Sequence, residues 1–377
     1  MPDVSQLLLE LIARPSVNPA FLPANDPRAG EKRIADFLAA TAAQAGLDVE
    51  SQEVFPNRAN LIVRLLPSGR VRRRILLAPH MDTVGVVSDE QFNPAVKNGR
   101  LYGRGACDTK ASVAVMLASL VELAAARKKP VETEIALVAL VDEENGQMGS
   151  RVYVRSGLKA ELAIVGEPTQ LRVVTAHKGD LWLQLETRGK AAHGSRPELG
   201  RNAVHLMAQI VHLLETDYAR RLRRRRHALL RHATINVGTI IGGRQPNIVP
   251  DRCTIRVDRR TIPGENDSAV KRELMSFIRR RGFSVTMIDT KNEEPAPPLE
   301  TDPRLPLVQQ LLRSAGQRKP AGVDFFSDAG VLAAGGIPSV LFGPGDIAQA
   351  HTADEWVALS QLERGMNVLR RFFAALP

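Results

Sequence analysis

The sequence RILLAPHMD at residues 74–82 decides the fold that we predict, together with EIALVALVDEE at 134–144. Both runs are short and rich in Leu, Ile and Val, which is typical of strands buried inside a sheet. Between them, KASVAVMLASLVELAAARKK at 110–129 has the length and apolar content of a long helix. The order strand, helix, strand predicts an α/β domain with a mostly parallel sheet flanked by helices.

The alternation of helices and strands extends to both sides of these runs. A helix is predicted at 31–46 and a strand at 61–67, and a helix near 304–316 and a strand at 338–343 follow much later. The first of these helices keeps an apolar stripe at helical spacing and ends at Gly46, a good C-terminal signal. One α/β domain therefore takes residues from both ends of the sequence.

The segment between these parts has a different order of elements. Strands are predicted at 180–189, 233–243, 252–261 and 283–289, and helices at 200–222 and 267–282. The order β-α-β-β-α-β is that of a two-layer, ferredoxin-like α+β motif. We therefore predict a first domain of residues 1–177 and 292–377, with a smaller α+β domain inserted at 178–291.

Length and composition favour a globular protein of two domains. With 377 residues, 44% of them hydrophobic, the chain is too long for one typical compact domain. Cys107 and Cys253 lie far apart, so a disulfide framework is not expected. The first twenty residues lack the features of a secretory signal, and no segment reaches the roughly 20 apolar residues that span a bilayer. We therefore expect a soluble, cytoplasmic protein with no membrane partner.

The formal net charge of +10 by itself suggests a nucleic-acid partner. Much of the excess lies in one run, RRLRRRR at 220–226, which has no interleaved aromatic residues for base stacking. A solvated helix end or loop is the favoured interpretation of this run. A nucleic-acid partner is the open alternative, and it would add to another function more than replace it.

Histidine and acidic residues follow the predicted strands of the first domain, where α/β sheets present their ligand sites. They are His80 and Asp82 after RILLA, Asp108 at the end of YGRGACD, Glu143 and Glu144 after EIALVALVD, Glu167 after LAIVG, and His351 after PSVLFG. Alternation along an extended chain places His80 and Asp82 on the same face. One such residue alone would be interpreted as a solvated turn residue. The whole set, after five different strand-like runs, indicates a common site.

The residue types suit two divalent ions. Imidazole and carboxylate ligands fit zinc, with manganese or cobalt as plausible substitutes. Two neighbouring ions need a bridging ligand, and we assign this role to Asp108 because its loop delivers it between the other strands. Of the adjacent Glu143 and Glu144, one is expected to face the metals and the other to be free for proton transfer.

Five motifs resemble those of the M20 metallopeptidases. They are HMDT at 80–83, GRGACDTKA at 103–111, DEENGQMGS at 142–150, GEPT at 166–169 and GPGDIAQAHTADEW at 343–356. The family includes acetylornithine deacetylase, succinyl-diaminopimelate desuccinylase, aminoacylase-1 and the glutamate carboxypeptidases. The resemblance spans the chain, and it implies a two-metal hydrolase that cleaves the amide bond of an N-acyl amino acid.

The resemblance also implies a role for each candidate side chain. His80, Asp108 and Glu167 would hold one metal, Asp108, Glu144 and His351 the other, with Glu143 as general base and Asp82 orienting His80. These roles agree with the physical chemistry, because a metal-activated water needs a nearby base and a metal-bound imidazole needs a partner that fixes its tautomer.

The inserted domain contributes further candidates through the same resemblance. The segment GKAAHGSRPELGRNAV at 189–204 resembles the family's lid motif, whose histidine reaches across a dimer and polarises the scissile carbonyl. His193 matches this histidine, so a homodimer formed through the inserted domain is expected, and a turn histidine before a helix is the alternative. Asn247 and Arg260 match positions that contact the substrate, and Lys178 is a weaker candidate for that role. Each could instead be a loop residue with local hydrogen bonds.

The segments EPTQLRVVTAHKGD and FGPGDIAQAHTADEWV resemble acetylornithine deacetylase and its near relatives more than they resemble the desuccinylase. A succinyl-diaminopimelate desuccinylase, or a dipeptidase or carboxypeptidase of the same family, is the alternative, because a few pocket residues set acyl selectivity. A non-catalytic binding protein on this scaffold is the alternative of a different class. In VDFFSDAGVLAAGG at 323–336, Asp324 or Asp328 is expected either to contact a substrate amine or to cap a loop.

Overall fold

The computed structural model describes residues 3–126, 129–288 and 296–377. The chain divides into two compact units. The first is made of Met1–Thr175, Glu300–Gly322 and Ser327–Pro377, and the second of Ala176–Leu299 and Val323–Phe326. The predicted domain boundary at 177/178 lies close to the division at 175/176, and the predicted boundary at 291/292 lies outside the described residues.

Strands and helices alternate along the described residues. The strands are β1 Asp48–Phe55, β2 Arg58–Leu65, β3 Arg73–Ala78, β4 Ala95–Lys97, β5 Arg100–Tyr102, β6 Thr133–Ala139, β7 Leu162–Val165, β8 Val174–His177, β9 Gly179–Arg188, β10 Thr234–Gly242, β11 Arg252–Thr261, β12 Thr286–Ile288, β13 Leu299–Glu300, β14 Ala321–Val323, β15 Ser339–Leu341 and β16 Trp356–Ala358. The helices are α1 Val4–Ile12, α2 Lys32–Gln44, α3 Lys110–Ala125, α4 Met148–Arg155, α5 Ala203–Leu213, α6 Ala219–Leu222, α7 Asp267–Arg280, α8 Pro306–Ser314, α9 Asp328–Ala334 and α10 Leu359–Ala374.

The large sheet confirms the predicted α/β class. Its strands lie in the order β1-β2-β6-β3-β7-β15-β8-β13, and β14 also pairs with β8. The central strands β6, β3, β7 and β15 are parallel, whereas β1, β2 and β8 pair in antiparallel fashion. The carboxyl ends of the parallel strands therefore meet at one edge of the sheet, which is where open α/β sheets bind ligands.

The core of the first unit explains why the central runs are continuously apolar. Every residue of β6 is buried, and so is every residue of α3 from Lys110 to Val121. A strand that is covered on both faces cannot alternate polar and apolar residues, and a helix that is apolar all round must be enclosed. Helices α1 and α10 both pack against α3.

The second unit contains a smaller antiparallel sheet with strand order β10-β11-β9-β12. Its apolar residues, among them Met207 of α5 and Leu274 of α7, form a hydrophobic core separate from that of the first unit. The order β9, α5, β10, β11, α7, β12 is the β-α-β-β-α-β order that the sequence predicts. The fold class, a large mostly parallel sheet with a smaller α+β part, is confirmed.

Several element bounds differ from the sequence-based prediction. The predicted α-helix at 200–222 is interrupted by a π-helical stretch, Leu214–Tyr218, between α5 and α6. The predicted strand at 283–289 is reduced to Thr286–Ile288, and residue 289 lies outside the described residues. The strands predicted at 74–82 and 134–144 end early, at Ala78 and Ala139, so the polar residues that follow belong to loops.

Two further findings concern the cysteines and the length of the apolar helices. Cys107 and Cys253 are buried free thiols. Over the described ranges of the chain, no helix has both the length and the apolar character that crossing a membrane requires.

Candidate active site

His80 and Asp82 follow β3 and are both buried. Nδ1 of His80 lies 2.9 Å from the backbone oxygen of Asp82 and 3.5 Å from its Oδ1. Nε2 of the same ring lies 3.3 Å from Oδ1 of Asp108. With Nδ1 donating to Asp82, Nε2 is the nitrogen that faces Asp108, and loss of its proton would free it to bind a metal.

Asp108 lies in the loop that leads into α3, and its two carboxylate oxygens face different imidazoles. Oδ1 lies 3.3 Å from Nε2 of His80, and Oδ2 lies 3.3 Å from Nε2 of His351. His351 is also 3.3 Å from Oε2 of Glu144, through the same nitrogen. A carboxylate placed between two imidazoles in this way has the geometry of a bridging ligand.

Glu143 and Glu144 are held by Asp82 through their backbone amides. The amide N–H of Glu143 donates to Oδ1 of Asp82 and that of Glu144 donates to Oδ2, each at 3.1 Å. Asp142, the residue before them, has a left-handed backbone with φ of 69°. One buried carboxylate thus fixes both the main chain of the adjacent glutamates and the ring of His80.

A buried polar network behind Asp82 is not visible in the sequence motifs. Nδ2 of Asn18 donates to Oδ2 of Asp82 at 2.8 Å and to Oδ1 of Asp142 at 3.0 Å. Arg58 donates to both carboxylate oxygens of Glu31, at 2.8 and 2.7 Å, and to Asp142 at 3.2 Å. These partners are 64 to 124 residues apart in sequence for Asn18 and 27 to 84 for Arg58, so local pattern could not reveal them.

Glu167 follows β7 and is buried, and its Oε1 has no hydrogen-bond partner. Burial raises the pKa of this carboxyl well above its ordinary value, against the charge of His80 and with the charge of Asp108. Oε1 of Glu144 is likewise buried without a partner. Buried polar oxygens normally have partners, so these two atoms indicate that the site is built for a cation.

The electrostatics of the site agree with that conclusion. Burial raises the pKa of Glu143 well above its usual range, while hydrogen bonds to Asp108 and then Glu144 raise the pKa of His351 to about 10. For His80, burial lowers the pKa, but hydrogen bonds to Asp108 and Asp82 outweigh it and the pKa is raised. Carboxylates thus outnumber the imidazoles that could neutralise them, and divalent cations would restore the balance.

Four of the five candidate metal ligands are close together within the first unit. One ligand atom each from His80, Asp108 and Glu144 lie within 4.8 Å of one another, and His351 contacts two of these residues. The charges of His80 and Asp108 both act on the pKa of the fifth candidate, Glu167. Imidazole nitrogens and carboxylate oxygens are ligands that suit zinc, manganese or cobalt, so the donor set fits the two divalent ions that the sequence predicts.

His193 and Asn247 are neighbours in the second unit. Residue 193 forms an isolated β-bridge with Ile248, and the amide of Gly194 donates to the backbone oxygen of Asn247 at 2.7 Å. His193 is exposed, and its Nδ1 accepts the amide N–H of Ser195 at 3.2 Å. Because Nδ1 accepts, Nε2 carries the proton of the neutral ring and is available as a donor.

Arg260 and Lys178 also lie in the second unit, and each has an acidic partner. Arg260 pairs with Asp258 at 2.9 Å, and its guanidinium carbon lies 5.4 Å from the ring centre of Phe326. Nζ of Lys178 lies 2.9 Å from Oδ1 of the exposed Asp324. A substrate carboxylate at either cation would have to compete with these partners.

Asp328 lies at the start of α9 in the first unit and is buried. The hydroxyl of Ser150 donates to its Oδ1 at 2.5 Å, and Oδ2 has no partner. Burial raises the pKa of Asp328 to about 7. The side chain of Asp324 pairs with Lys178.

The arginine run at 220–226 forms ion pairs within the second unit. Arg221 and Arg225 lie 2.9 and 2.8 Å from the carboxylate of Glu273, and Arg220 lies 3.2 Å from Asp217. The three arginine side chains are between 44% and 68% exposed, so these pairs are surface contacts.

A mostly parallel sheet with imidazoles and buried carboxylates at the ends of its strands is the arrangement expected of a metal-dependent hydrolase. The sequence pattern of "Peptidase family M20/M25/M40" matches residues 76–375, and the chain belongs to this family. It is thus a member of a family of metal-dependent hydrolases that act on amides.

Similar proteins extend this result over the full length of the chain. The acetylornithine deacetylase of Myxococcus xanthus is 32% identical, with 99% of this chain and 97% of that protein covered. The acetylornithine deacetylase of Edwardsiella ictaluri is 31% identical over 95% of this chain and 94% of its own. An M20 family metallo-carboxypeptidase from Sulfolobus solfataricus has a TM-score of 0.78 at 20% identity, with 99% of both chains covered. A tripeptidase from Staphylococcus aureus also has a TM-score of 0.78, at 22% identity over 98% of this chain and 96% of that one.

Proposed function

We propose that the protein is a two-metal, zinc-type amidohydrolase that removes the acyl group from an N-acyl amino acid, with N-acetylornithine as the leading candidate. The observation that carries the proposal is the carboxylate of Asp108, whose oxygens each lie 3.3 Å from a different imidazole. The similarity to acetylornithine deacetylases, at 32% and 31% identity, supports the choice of substrate.

We assign the ligands as the family resemblance implies, and the contacts of Asp108 with His80 and His351 support this assignment. His80, Asp108 and Glu167 would hold one ion, and Asp108, Glu144 and His351 the other. When bound, such ions lower the pKa of a shared water and polarise the scissile carbonyl. The partnerless oxygens of Glu144 and Glu167 support their place among the ligands.

Glu143 is the proposed general base. It accepts a proton from the attacking water and returns it to the nitrogen of the leaving amine. The backbone amide of Glu143 donates to Asp82, and this hydrogen bond fixes the main chain from which the carboxylate of Glu143 extends. Asp82 also holds the ring of His80, and thereby serves a ligand and the base together.

His193, Asn247, Arg260 and Lys178 are the proposed contacts to the substrate. A neutral His193 with its proton on Nε2 can donate to the oxyanion that develops on the scissile carbonyl. We assign this role across a homodimer, with the histidine of one protomer serving the site of its partner. A fully active monomer in sedimentation velocity would contradict the cross-subunit arrangement. Arg260 and Lys178 would bind the carboxylate of the amino acid by exchanging their acidic partners for it.

The adjacent glutamates allow a matched test. Glu143→Gln should lower kcat by about 10²- to 10⁴-fold while the protein keeps two ions per chain, because the change removes a base and spares the ligands. Glu144→Gln should instead lower the metal content. Loss of metal from Glu143→Gln, or full activity in that variant, would contradict the assignment.

The acyl group is tested with a panel of N-acetyl, N-succinyl and N-carbamoyl amino acids and dipeptides. Preferential hydrolysis of N-acetylornithine is the expected result. Cleavage of the N-succinyl substrates would indicate a desuccinylase, and cleavage of dipeptides alone would indicate a peptidase. Absence of hydrolysis with a fully loaded metal site would favour a binding protein on this scaffold.

A further inference from the structure

Glu355 lies four residues after His351 and directly before β16. Its side chain is only 1% exposed. The strand that follows pairs with β5, with Trp356 opposite Tyr102, so Glu355 enters the structure next to the loop that carries Asp108.

The carboxylate of Glu355 accepts four hydrogen bonds from that loop. Oε1 accepts the backbone amides of Cys107 and Asp108, at 2.8 and 2.9 Å. Oε2 accepts the backbone amide of Gly105 at 3.0 Å and Nη1 of Arg104 at 2.7 Å. The backbone oxygen of Glu355 also accepts the amide of Gly103 at 3.0 Å. The main chain from residue 103 to residue 108 is thus wrapped around one acidic side chain.

These contacts connect two chain segments that carry candidate metal ligands, the Asp108 loop and the segment from His351 to Glu355. Glu355 holds the main chain of Asp108, the side chain of Asp108 contacts His351 at 3.3 Å, and His351 leads back to Glu355 along the chain. A second tie between the same segments comes from Cys107, whose thiol donates to the backbone oxygen of Asp346 at 3.2 Å. Asp108 and His351 are otherwise delivered by separate loops more than 240 residues apart in sequence.

We propose that Glu355 is a positioning residue, which holds the Asp108 loop and the His351 segment in the relative position that both ligands need to meet the same ions. The inference rests on the proposed function, since it takes Asp108 and His351 to be metal ligands. Residues that orient ligands from behind commonly change metal affinity about 10- to 100-fold when they are replaced.

The role requires two acceptor oxygens. In Glu355→Gln, one oxygen would become an NH₂ group that faces donors, either the amides of Cys107 and Asp108 or Arg104 and the amide of Gly105. In either orientation the new NH₂ group is itself a donor, so the two buried N–H groups that it faces lose their acceptor. The variant keeps the volume of the side chain, so its effect reports on hydrogen bonding and charge, not on packing.

Glu134 offers a matched control in the same unit. Its carboxylate is 3% exposed and accepts two hydrogen bonds from Arg74, both at 2.9 Å. It lies near the amino end of β6, nine residues before Glu143, and therefore at the opposite end of the strand from the site. Glu134→Gln removes the same charge from a buried carboxylate that pairs with a partly exposed arginine, without touching the Asp108 loop.

The experiment titrates the metal-free proteins with Zn²⁺ by calorimetry, and with Co²⁺ while the visible absorption of the bound ion is recorded. Wild type should bind two Zn²⁺ per chain. Glu355→Gln should bind Zn²⁺ about 10- to 100-fold more weakly, with a changed Co²⁺ spectrum because the ligands are displaced. Glu134→Gln should keep the Zn²⁺ affinity within about threefold of wild type and should keep the wild-type Co²⁺ spectrum. Thermal unfolding should show that both variants are less stable than wild type.

Each result separates the inference from the proposed function. Unchanged Zn²⁺ affinity and an unchanged Co²⁺ spectrum in Glu355→Gln would overturn the positioning role and leave the function standing. Equal weakening in Glu134→Gln would also overturn it, since the loss would then follow from general destabilisation. Failure of wild type to bind Zn²⁺ would overturn the proposed function itself. If Glu355→Gln does not fold, Glu355→Asp takes its place, because it keeps the charge and withdraws the carboxylate by one methylene.

Discussion

Loading the metal-free protein with Zn²⁺ should release at least about one proton per chain at pH 7.5, and a second if His80 is also protonated. The pKa of His351 is raised to about 10 by its hydrogen bonds to Asp108 and Glu144. The pKa of His80 is also raised, because its hydrogen bonds to Asp108 and Asp82 outweigh the effect of burial. His351 therefore carries a second proton at neutral pH, and the direction of the His80 shift favours a second proton on that ring too. Any proton on the nitrogen that faces Asp108 must leave before that nitrogen can bind a metal.

The sign and size of the pH dependence follow directly. A proton that must leave for the ion to bind makes binding weaker as the pH falls. With one linked proton from His351, the overall affinity for the pair of ions should fall by roughly tenfold for each pH unit between 8 and 6, and a second linked proton from His80 would make the fall roughly 100-fold. Burial also raises the pKa of Glu167, so a third proton from this carboxyl would steepen the slope.

Calorimetric titration in two buffers with different enthalpies of ionisation measures the number of protons released. His351→Ala is the matched control, because it removes the ring whose pKa is raised to about 10 and should lower the release by about one. Zn²⁺ affinity that does not change with pH, or release of fewer than one proton by wild type, would refute the reasoning.

Two further predictions concern stability of the metal-free protein. Arg58→Met leaves the buried carboxylates of Glu31 and Asp142 without their cation, which should cost about 3–5 kcal/mol of unfolding free energy and lower Tm by roughly 4–10 °C in calorimetry; an unchanged Tm would contradict it. Burial raises the pKa of Asp328 from 3.8 to about 7, so the folded protein binds this proton more tightly than the unfolded chain does. The stabilisation from that proton is complete below pH 3.8 and is lost as the pH rises toward about 7. Asp328→Asn should therefore gain stability relative to wild type between about pH 5 and pH 8, and denaturant curves with the same pH dependence for both proteins would rule this out.

The sequence predicts the large parallel sheet well because its strands are buried on both faces. RILLA and EIALVALVD stand out as unbroken apolar runs, and the chemistry-bearing residues follow them directly. The early end of each strand has a local reason. Pro79 has no amide hydrogen for the ladder after Ala78, and beyond Leu140 the chain turns into the left-handed residue Asp142.

Other parts of the structure leave little signal in the sequence. Strand β1, DVESQEVF, contains exposed polar residues along most of its length, so it has no apolar pattern to find. Strands β4, β5 and β16 have three residues each, too few for any periodicity. Glu355 lies inside a motif that the sequence reveals, but its four donors come from residues about 250 positions earlier in the chain, so the sequence does not show them.

Asn18 and Arg58 are the clearest cases of residues that sequence reasoning misses. Each contacts partners far away in the chain, and neither belongs to a motif with metal-type side chains. Their importance comes from burial beside carboxylates, and burial of a single polar residue cannot be inferred from its neighbours in sequence.

The four-residue stretch Val323–Phe326 belongs to the second unit although the chain reaches it only after returning to the first. An excised fragment that ends at residue 299 would therefore lack part of its own fold. Lys178 would lose Asp324, its partner at 2.9 Å, and remain as a nearly buried ammonium group, while Arg260 would lose the ring of Phe326. Expression of the second unit by itself thus calls for a linker that carries this stretch back, since a simple cut at the two ends of the insertion leaves an incomplete protein.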